Sequence, residues 1–355
     1  MPIPMEPIGS VPRPAELIAT MQRHAAGQAS DEQLRQAREA ALRETIARFE
    51  QTGSPVLADG EQTKPSFATY PLAGLANLAP DGVTIPFADG HTRQLPRLTA
   101  GPFRYACYCG GYVSEARRIT SRPLKQAVIA PSAMSLLYPA AGIEGYSREQ
   151  FLGDLIEEAE KDVRSCLAAG AASVQLDFTE GRLAVKLDPS KGVLRELVRI
   201  NNLLLDRFSP AERAVIGIHT CPGGDQDSTH SADIDYAELL PDLFETRAGR
   251  FYMQLASEAD PERALGIVQR HRKLEQHVYV GVIDPIDSRI ETPETVRDRV
   301  LLAARYIPLD RLGVTDDCGF APFGDDLSTA RDTAFAKIRA RVEGVRLAEQ
   351  ALGLS

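Results

Sequence analysis

Residues 214–224 have the sequence AVIGIHTCPGG, a short apolar run that ends in polar residues. Apolar runs of this length, without a helical period, are typical of strands that are buried on both faces of a parallel sheet. His219 and Cys221 stand at the end of the run, and the proline and glycines that follow permit the chain to bend there. The stretch therefore predicts a buried strand with polar side chains at its carboxyl end.

The same pattern recurs along the chain, where short apolar runs alternate with stretches of helical period. With short segments around Ile8 and Val56 included, eight such runs are present, the other six being 126–130, 173–178, 214–219, 251–256, 277–284 and 312–316. The stretches with helical period include 148–169, 188–205, 236–247, 259–274, 293–306 and 328–352. Alternating strands and helices indicate a parallel sheet, and eight such units fit a (β/α)₈ TIM barrel within the α/β class.

Two segments add to this repeat. An N-terminal helical extension is predicted at 30–52, with Ser30 as its N-cap and Gln33 completing a capping box. Residues 70–125 are rich in Pro, Gly, Thr and aromatic residues, and they predict an irregular, hairpin-bearing insertion after the second strand. Since an elaborated barrel often reaches this length, we expect one domain over 1–355.

Composition limits the classes of partner. Lys and Arg total 40 and Asp and Glu total 49, so the net charge is −9, and no basic stripe of the kind that binds nucleic acid is present. No apolar run approaches the roughly 18 residues that cross a membrane. The five cysteines are widely spaced, which favours a reducing, cytoplasmic compartment over a disulfide framework. Small-molecule substrates are therefore expected, while the oligomeric state stays open.

Polar residues gather at the carboxyl ends of the predicted strands. In a barrel these ends form one rim, and barrel enzymes place their chemistry on it. The residues at these positions are Ser10, Asp59, Glu61, Ser132, Asp177, His219, Cys221, Asp284, Asp316 and Cys318.

Three of these residues predict a metal site. His219 and Cys221 follow the fifth predicted strand and Cys318 follows the eighth, so all three would face the same axial pocket. A Cys₂His set with one open position is a catalytic zinc arrangement. Zinc favours sulfur and deprotonates a coordinating thiol, so the set suits alkylation of a thiol substrate. The competing interpretation is a core histidine with two inert buried cysteines.

A polar loop at 225–233 follows the His219–Cys221 segment and contains His230. This loop either covers the predicted metal site or is simply solvated, and a solvated loop is the more common case.

Six elements, in order, resemble those of the cobalamin-independent methionine synthases and their short, single-barrel relatives. The resemblance runs through most of the chain. The matching elements are Ile8–Arg13, Asp59–Glu61, Val174–Asp177, His219–Cys221, Gly281–Asp284 and Asp317–Gly319.

The resemblance implies a (β/α)₈ barrel that holds zinc through His219, Cys221 and Cys318. It implies the activity of a methyltransferase of methionine biosynthesis, in which homocysteine sulfur takes the methyl group of a methyltetrahydrofolate. Full-length methionine synthases carry a second, N-terminal barrel, which a chain of 355 residues is too short to contain.

The resemblance also assigns roles to further residues. Ile8 and Ser10 belong to the segment that holds the homocysteine carboxylate, and Glu61 and Asp177 are expected to meet its amino group. Asp284 lies in the segment ahead of the family's proton-relay region and is the predicted catalytic residue.

Departures from the family fall around the methyl donor and the fourth zinc ligand. The chain has no Trp, so the family's folate-stacking tryptophan has no counterpart, although Tyr138 stands nearby. Asp287 replaces the family's histidine after Asp284. Where a glutamate is expected as fourth ligand the chain has Gln254, with Glu258 further on. The donor is therefore left as methyltetrahydrofolate or another methyl carrier.

Other functions remain open at this level. Zinc enzymes that join an epoxide to coenzyme M have a similar His-x-Cys…Cys set without an obvious glutamate. A barrel that binds zinc or a thiol without turnover, or a decarboxylase of the uroporphyrinogen type, is also conceivable. Glu61 and Asp177 argue against coenzyme M, which has no amino group for them to meet.

Overall fold

Twelve strands and twelve α-helices form within residues 2–354, the part of the chain that the computed structural model describes. The strands are β1 (Leu78–Ala79), β2 (Thr84–Pro86), β3 (Thr92–Gln94), β4 (Arg97–Leu98), β5 (Lys125–Ile129), β6 (Ser173–Asp177), β7 (Ile216–Thr220), β8 (Gly224–Asp225), β9 (Ser228–Thr229), β10 (Arg250–Met253), β11 (His277–Gly281) and β12 (Leu312–Thr315). The helices are α1 (Ala15–Ala25), α2 (Asp31–Thr52), α3 (Gly110–Arg117), α4 (Pro131–Met134), α5 (Arg148–Ala168), α6 (Gly181–Leu187), α7 (Gly192–Leu205), α8 (Pro210–Arg213), α9 (Tyr236–Leu243), α10 (Pro261–His271), α11 (Pro293–Ala303) and α12 (Arg331–Ala351).

Six strands form one parallel sheet in the order β12-β11-β10-β7-β6-β5. Two N-terminal segments extend its edges, since Met5 bridges Val314 of β12 and Leu57 bridges Leu124 beside β5. The N–H of Val11 donates to the carbonyl of Gly60 at 3.1 Å, which joins the two outer segments. The predicted α/β fold is confirmed, with the eight segments in the order that a (β/α)₈ barrel requires.

The first segment differs from the prediction. Its pairing with β12 lies at Met5 rather than Ile8, with Glu6 N donating to the Val314 carbonyl at 3.0 Å. Pairing does not continue to Ile8 because its backbone N–H bonds to the side chain of Asp316 instead. Ile8 instead packs with Tyr252 and Tyr279 in a small buried cluster.

The long N-terminal helix is confirmed: Ser30 and Gln33 form a capping box at the start of α2. The helix predicted at 188–205 begins only at Gly192, because Lys191 before it takes a positive φ of 65°, and the separate helix α6 ends ahead of the predicted stretch. The last helix begins at Arg331 rather than 328, because Ser328 bonds to Asp326 in the preceding loop.

The predicted insertion at 70–125 contains two antiparallel pairs, β1 with β4 and β2 with β3. It continues through α3, which packs against α5. Within residues 2–354, no helix combines the length and apolar character needed to cross a membrane.

Glu6 forms a buried ionic network inside the sheet. Its carboxylate accepts hydrogen bonds from Ser173 Oγ at 2.9 Å and Tyr252 Oη at 2.6 Å, and it pairs with Arg250. Burial raises the pKa of Glu6, but the charges of Lys125 and Arg250 and the two hydrogen bonds outweigh it and hold the pKa below its ordinary value. Glu6 thereby ties the first segment to β6 and β10.

Replacing Glu6 with Gln should lower the free energy of unfolding at neutral pH by about 3 kcal/mol, because the buried Lys125 and the partly buried Arg250 lose the negative charge beside them. A depressed folded pKa stabilises the protein above the unfolded pKa of 4.5, and this stabilisation is lost as pH falls through the folded pKa. Urea unfolding should therefore show the difference between Glu6→Gln and wild type shrinking below pH 4.5. The exposed Glu16, replaced by Gln, is the control, and a pH-independent difference would contradict the ionic role.

Candidate metal centre

His219, Cys221 and Cys318 come together at the carboxyl ends of β7 and β12. Their ligand atoms all lie within 4.8 Å of one another. The two sulfur atoms are 3.1 Å apart, and all three side chains are buried. The residues predicted as metal ligands therefore form one cluster.

The imidazole of His219 is oriented by the neighbouring strand β10. Its Nδ1 lies 3.2 Å from the carbonyl oxygen of Tyr252, which can only accept, so Nδ1 carries the proton. The Nε2 atom is buried and meets no hydrogen-bond partner within residues 2–354. A backbone carbonyl that fixes the tautomer in this way is usual for a metal-binding histidine.

The two thiols also fit a cation. The hydrogen bond with Cys221 and then burial raise the pKa of Cys318 well above its ordinary value. Two buried thiols in contact do not both ionise unless a cation compensates their charge. Two sulfurs and one imidazole nitrogen form a donor set that suits zinc, with one position left for a substrate.

Asp317 holds the loop that carries Cys318. One carboxylate oxygen accepts from the backbone N–H of Leu255 at 2.8 Å and of Ala256 at 2.9 Å, and the other accepts from the N–H and hydroxyl of Ser257, both at 2.7 Å. A Cβ on Gly281 would lie 2.0 Å from this carboxylate, so only glycine fits there. Asp317 belongs to the predicted Asp317–Gly319 motif. Its role in positioning Cys318 could not be predicted, because its partners at 255–257 are distant in sequence.

The two candidates for a fourth ligand are engaged elsewhere. Gln254 accepts from Arg182 at 3.1 Å, and Glu258 forms an ion pair with the same guanidinium at 3.0 Å. In the part of the chain that the structure covers, no Asp or Glu carboxylate joins the three-residue cluster.

A small cavity of about 60 Å³ lies over the cluster. It brings together the predicted substrate-binding residues with part of the metal site. The residues concerned are Ile8, Ser10, Glu61, Asp177, His219 and Cys318.

One side of this cavity is acidic. Glu61 takes a positive φ of 57°, and its Oε1 accepts from Lys64 at 3.1 Å, while Oε2 has no partner among the described residues. Asp177 accepts from Gln175 at 2.6 Å. Burial raises the pKa of Glu61 to about 7 and also raises that of Asp177. A ligand ammonium group would satisfy the open oxygen and stabilise both carboxylates.

Two predicted residues lie outside this cavity. Asp284 accepts from the N–H of Ile286 at 3.0 Å and lines a neighbouring cavity together with Glu258, so its catalytic role stays a prediction. The ring of Tyr138 stacks on Phe151 at 5.3 Å, and its hydroxyl donates to the carbonyl of Tyr146 at 2.7 Å. Tyr138 is thus held away from the metal cavity.

His230 is a cavity residue that the sequence assigned to a solvated loop. It is buried, its Nδ1 has no partner in the region the structure describes, and its ring packs edge-on against Phe87 at 5.6 Å. Burial, and then the charges of Lys186 and Arg182, lower the pKa of His230 to about 4. A neutral imidazole therefore faces the metal cavity at neutral pH.

The insertion covers the cavity. Arg93 of β3 forms ion pairs with Asp225 and Asp325, and Ala88 N donates to the carbonyl of Thr229 at 2.9 Å. These contacts hold the β2–β3 hairpin against the β8–β9 turn, so the hairpin forms part of the cavity wall.

A parallel α/β sheet with a Cys₂His cluster at its carboxyl rim is the arrangement of a barrel enzyme with a sulfur-rich candidate metal site. The model of the cobalamin-independent synthase catalytic domain matches residues 3–339. The chain belongs to the cobalamin-independent methionine synthase family, and it is a methyltransferase of that type. The family predicted from the sequence motifs is confirmed.

Individual relatives match over nearly the whole chain. The protein YxjH of Bacillus subtilis is 24% identical over 95% of this chain and 92% of its own length. A methionine synthase of Sulfurisphaera tokodaii is 22% identical over 99% of this chain and 94% of its own. The structure of a B12-independent methionine synthase from Shewanella sp. W3-18-1, in complex with selenomethionine, is similar with a TM-score of 0.78, 19% identity and 100% coverage of both chains.

Gly223 permits the close approach of His230 to the metal loop. Its φ is +71°, and a Cβ there would lie 1.7 Å from Nε2 of His230. Gly223→Ala should lower the free energy of unfolding by roughly 2 kcal/mol, because the left-handed backbone and the displaced ring both oppose it. Chemical denaturation measures this loss. Gly266→Ala in α10, where the nearest atom is the flexible end of Arg270, is the control and should be neutral or stabilising. Equal stabilities for both variants would show that the approach is not constrained.

Proposed function

We propose that this protein binds zinc through His219, Cys221 and Cys318 and methylates the sulfur of homocysteine to give methionine. The observation that carries this proposal is the shared cavity, which places a free imidazole nitrogen and a thiol beside two buried carboxyl groups. Membership of the methionine synthase family supports the same reaction.

When bound, zinc would act as a Lewis acid that keeps the substrate thiol deprotonated at neutral pH, where a free thiol with a pKa of about 8.5 is mostly protonated. His219 presents Nε2 because its Nδ1 donates to the Tyr252 carbonyl. Cys221 and Cys318 contribute negative charge, which keeps the bound sulfur electron-rich.

The chain's own groups are suited to the two ends of the amino acid. Glu61, with its open oxygen, and Asp177 meet the ammonium group. The hydroxyl of Ser10 accepts from Ala321 N at 3.3 Å, so its proton remains available for the substrate carboxylate. Ile8 lines the same side of the cavity. The sulfonate of coenzyme M would instead meet two carboxylates, which disfavours that thiol.

The methyl donor is proposed to be a methyltetrahydrofolate or another methyl carrier, as membership of the family suggests. The metal cavity, at about 60 Å³, is far smaller than the several hundred Å³ of a site for a cofactor-sized ligand. The carrier therefore binds outside it. Because Cys221 and Cys318 must stay reduced to bind metal, we also propose a cytoplasmic location.

Cys221→Ser and Cys318→Ser should each lose the metal and the activity. Purified wild-type protein is expected to contain about one zinc per chain, since one three-residue site is present. Elemental analysis and a homocysteine methylation assay measure both properties. The control is Cys107→Ser, because this half-buried thiol donates to the Tyr70 carbonyl at 3.1 Å and lies 3.8 Å from the Tyr112 hydroxyl, and serine can keep the bond to the carbonyl. Active wild-type protein without metal would refute the zinc assignment.

Glu61→Gln should reduce kcat/KM for homocysteine roughly 10- to 100-fold, because a charged hydrogen bond to the ammonium group is lost. The matched substrate is 4-mercaptobutanoate, which is homocysteine without its amino group. Its slower turnover should be unchanged by the substitution. An equal loss with both thiols would mean that Glu61 acts only through the fold, by way of its ion pair with Lys64.

A further inference from the structure

The loop between β9 and α9 carries one imidazole into the wall of the metal cavity. His230 lines this cavity together with Gly223 and with Phe87 of the insertion, and its side chain is buried. His230 lies outside the six sequence elements whose resemblance indicates the family. Its role therefore has to be inferred from its surroundings in this chain.

Hydrogen bonds fix the backbone of His230. Its N–H donates to the carbonyl of Gly223 at 3.2 Å, and its carbonyl accepts from Lys186 Nζ at 3.2 Å. The next residue, Ser231, donates to the carbonyl of Pro222 through its N–H at 3.2 Å and through its hydroxyl at 3.0 Å. These bonds hold the segment against the loop that follows β7, so the ring has a defined place in the cavity wall.

The ring of His230 has no hydrogen-bond partner of its own. Within residues 2–354, Nδ1 is buried without a partner, and the hydrogen bonds of this residue run through its backbone. Nε2 lies so close to Gly223 that an added Cβ would be 1.7 Å from it. A buried polar atom without a partner destabilises a fold, so a side chain that only filled space would be better apolar. A ligand that supplies the missing partner explains the imidazole.

The charges around His230 favour a ligand group with negative charge. Burial, and then the positive charges of Lys186 and Arg182, lower the pKa of the ring, and Asp233 opposes them with a smaller effect. The ring is therefore neutral at neutral pH and keeps one N–H that can donate a hydrogen bond. The same two cations stabilise an anion that accepts this hydrogen bond.

Another part of the cavity wall favours positive charge. Glu61 and Asp177 contribute carboxylates, and Oε2 of Glu61 has no partner among the described residues. The Ser10 hydroxyl lies beside the loop of Cys318, since a Cβ on Gly319 would be 2.1 Å from it. The cavity thus presents acceptors for a cation and donors for an anion. A zwitterionic α-amino acid carries both charges on substituents of one carbon atom, which suits this arrangement.

We propose that the neutral imidazole of His230 donates a hydrogen bond to the α-carboxylate of the acceptor thiol and thereby makes the enzyme selective for amino-acid thiols. This inference rests on the function proposed above, and it adds a second hydrogen-bond donor to the Ser10 hydroxyl. A carboxylate has two oxygens, so the hydroxyl and the ring N–H each meet one of them. Phe87 packs edge-on against the ring at 5.6 Å and holds it in the cavity wall.

The test replaces His230 with Leu, which has a similar volume and no hydrogen-bond donor, in the zinc-loaded enzyme with methyltetrahydrofolate. Three acceptor thiols are compared: homocysteine, 4-mercaptobutanoate, which lacks the amino group, and 3-aminopropane-1-thiol, which lacks the carboxylate. His230→Leu should raise KM roughly 10- to 100-fold for the first two, because a hydrogen bond to a charged group is lost. The KM for 3-aminopropane-1-thiol should stay within twofold of wild type. Calorimetric titration without a methyl donor should show the same pattern in the dissociation constants.

Glu61→Gln should give the complementary pattern. It should weaken the binding of homocysteine and 3-aminopropane-1-thiol and leave that of 4-mercaptobutanoate unchanged, because only the first two have an amino group. A general distortion of the cavity would affect all three thiols in both variants. Opposite patterns in the two variants would therefore identify a separate contact for each end of the amino acid.

Two further variants separate this role from a structural one. His230→Asn keeps an N–H donor and should lose less affinity for homocysteine than His230→Leu. His271→Leu removes an exposed imidazole from the last turn of α10 and should leave all three thiols unchanged. The unfolding temperature and zinc content of His230→Leu should be no lower than those of wild type, because an unpartnered buried polar atom is removed. A lower unfolding temperature with lost zinc would overturn the inference in favour of a structural role.

The remaining outcomes distinguish the two proposals. If wild type methylates homocysteine and His230→Leu changes KM equally for all three thiols, or for none, the assignment of His230 is wrong while the proposed function stands. If wild type methylates none of the thiols from methyltetrahydrofolate or methylcobalamin, the proposed function fails. The titrations then still decide the inference, since equal affinities of wild type and His230→Leu for homocysteine would overturn it.

Discussion

The metal centre depends on the register of three parallel strands. His219 of β7 pairs with Asp177 of β6 on one side and with Tyr252 of β10 on the other. This pairing puts the Tyr252 carbonyl next to the imidazole Nδ1 and a carboxylate on the same level of the rim. A shift of one residue in either pair would turn these side chains to opposite faces of the sheet. The proposed metal ligand, its orienting carbonyl and the proposed substrate-binding carboxylate are therefore fixed by one set of backbone hydrogen bonds.

Buried carboxylates differ in their number of charged and hydrogen-bonding partners between the interior of the sheet and its rim. Glu6, inside the sheet, has two cations and two hydroxyls around it, which stabilises its charge. Glu61 and Glu180, at the rim, keep oxygens without partners in the described part of the chain. Because such groups oppose folding, the open oxygen of Glu61 in the metal cavity is consistent with a ligand that completes it. Hydrogen-bond acceptors without protein partners thus lie at the carboxyl rim, where the substrates are proposed to bind.

Sequence periodicity was enough to locate the strands and the ends at which His219 and Cys318 stand. It predicted that the three candidate ligands cluster, because parallel strands bring their carboxyl ends to one rim, whatever the loops do. Sequence periodicity does not predict contacts between loops. His230 reaches the metal cavity only because Gly223 leaves space for its ring, and Asp284 lies in a different cavity from the one expected of a rim residue. Neither arrangement follows from the spacing of apolar residues along the chain.

The two halves of the proposed reaction rest on different kinds of structure. The thiol half is built on strands, where pairing and burial leave little room for change. The donor half is built on the insertion and on loops, which vary more readily. This division accounts for where the chain departs from its family: Tyr138 is packed on Phe151, and apolar side chains such as Ile85 and Phe323 line the metal cavity. A flat donor ring would then be held by aliphatic and phenyl contacts rather than by one broad aromatic face.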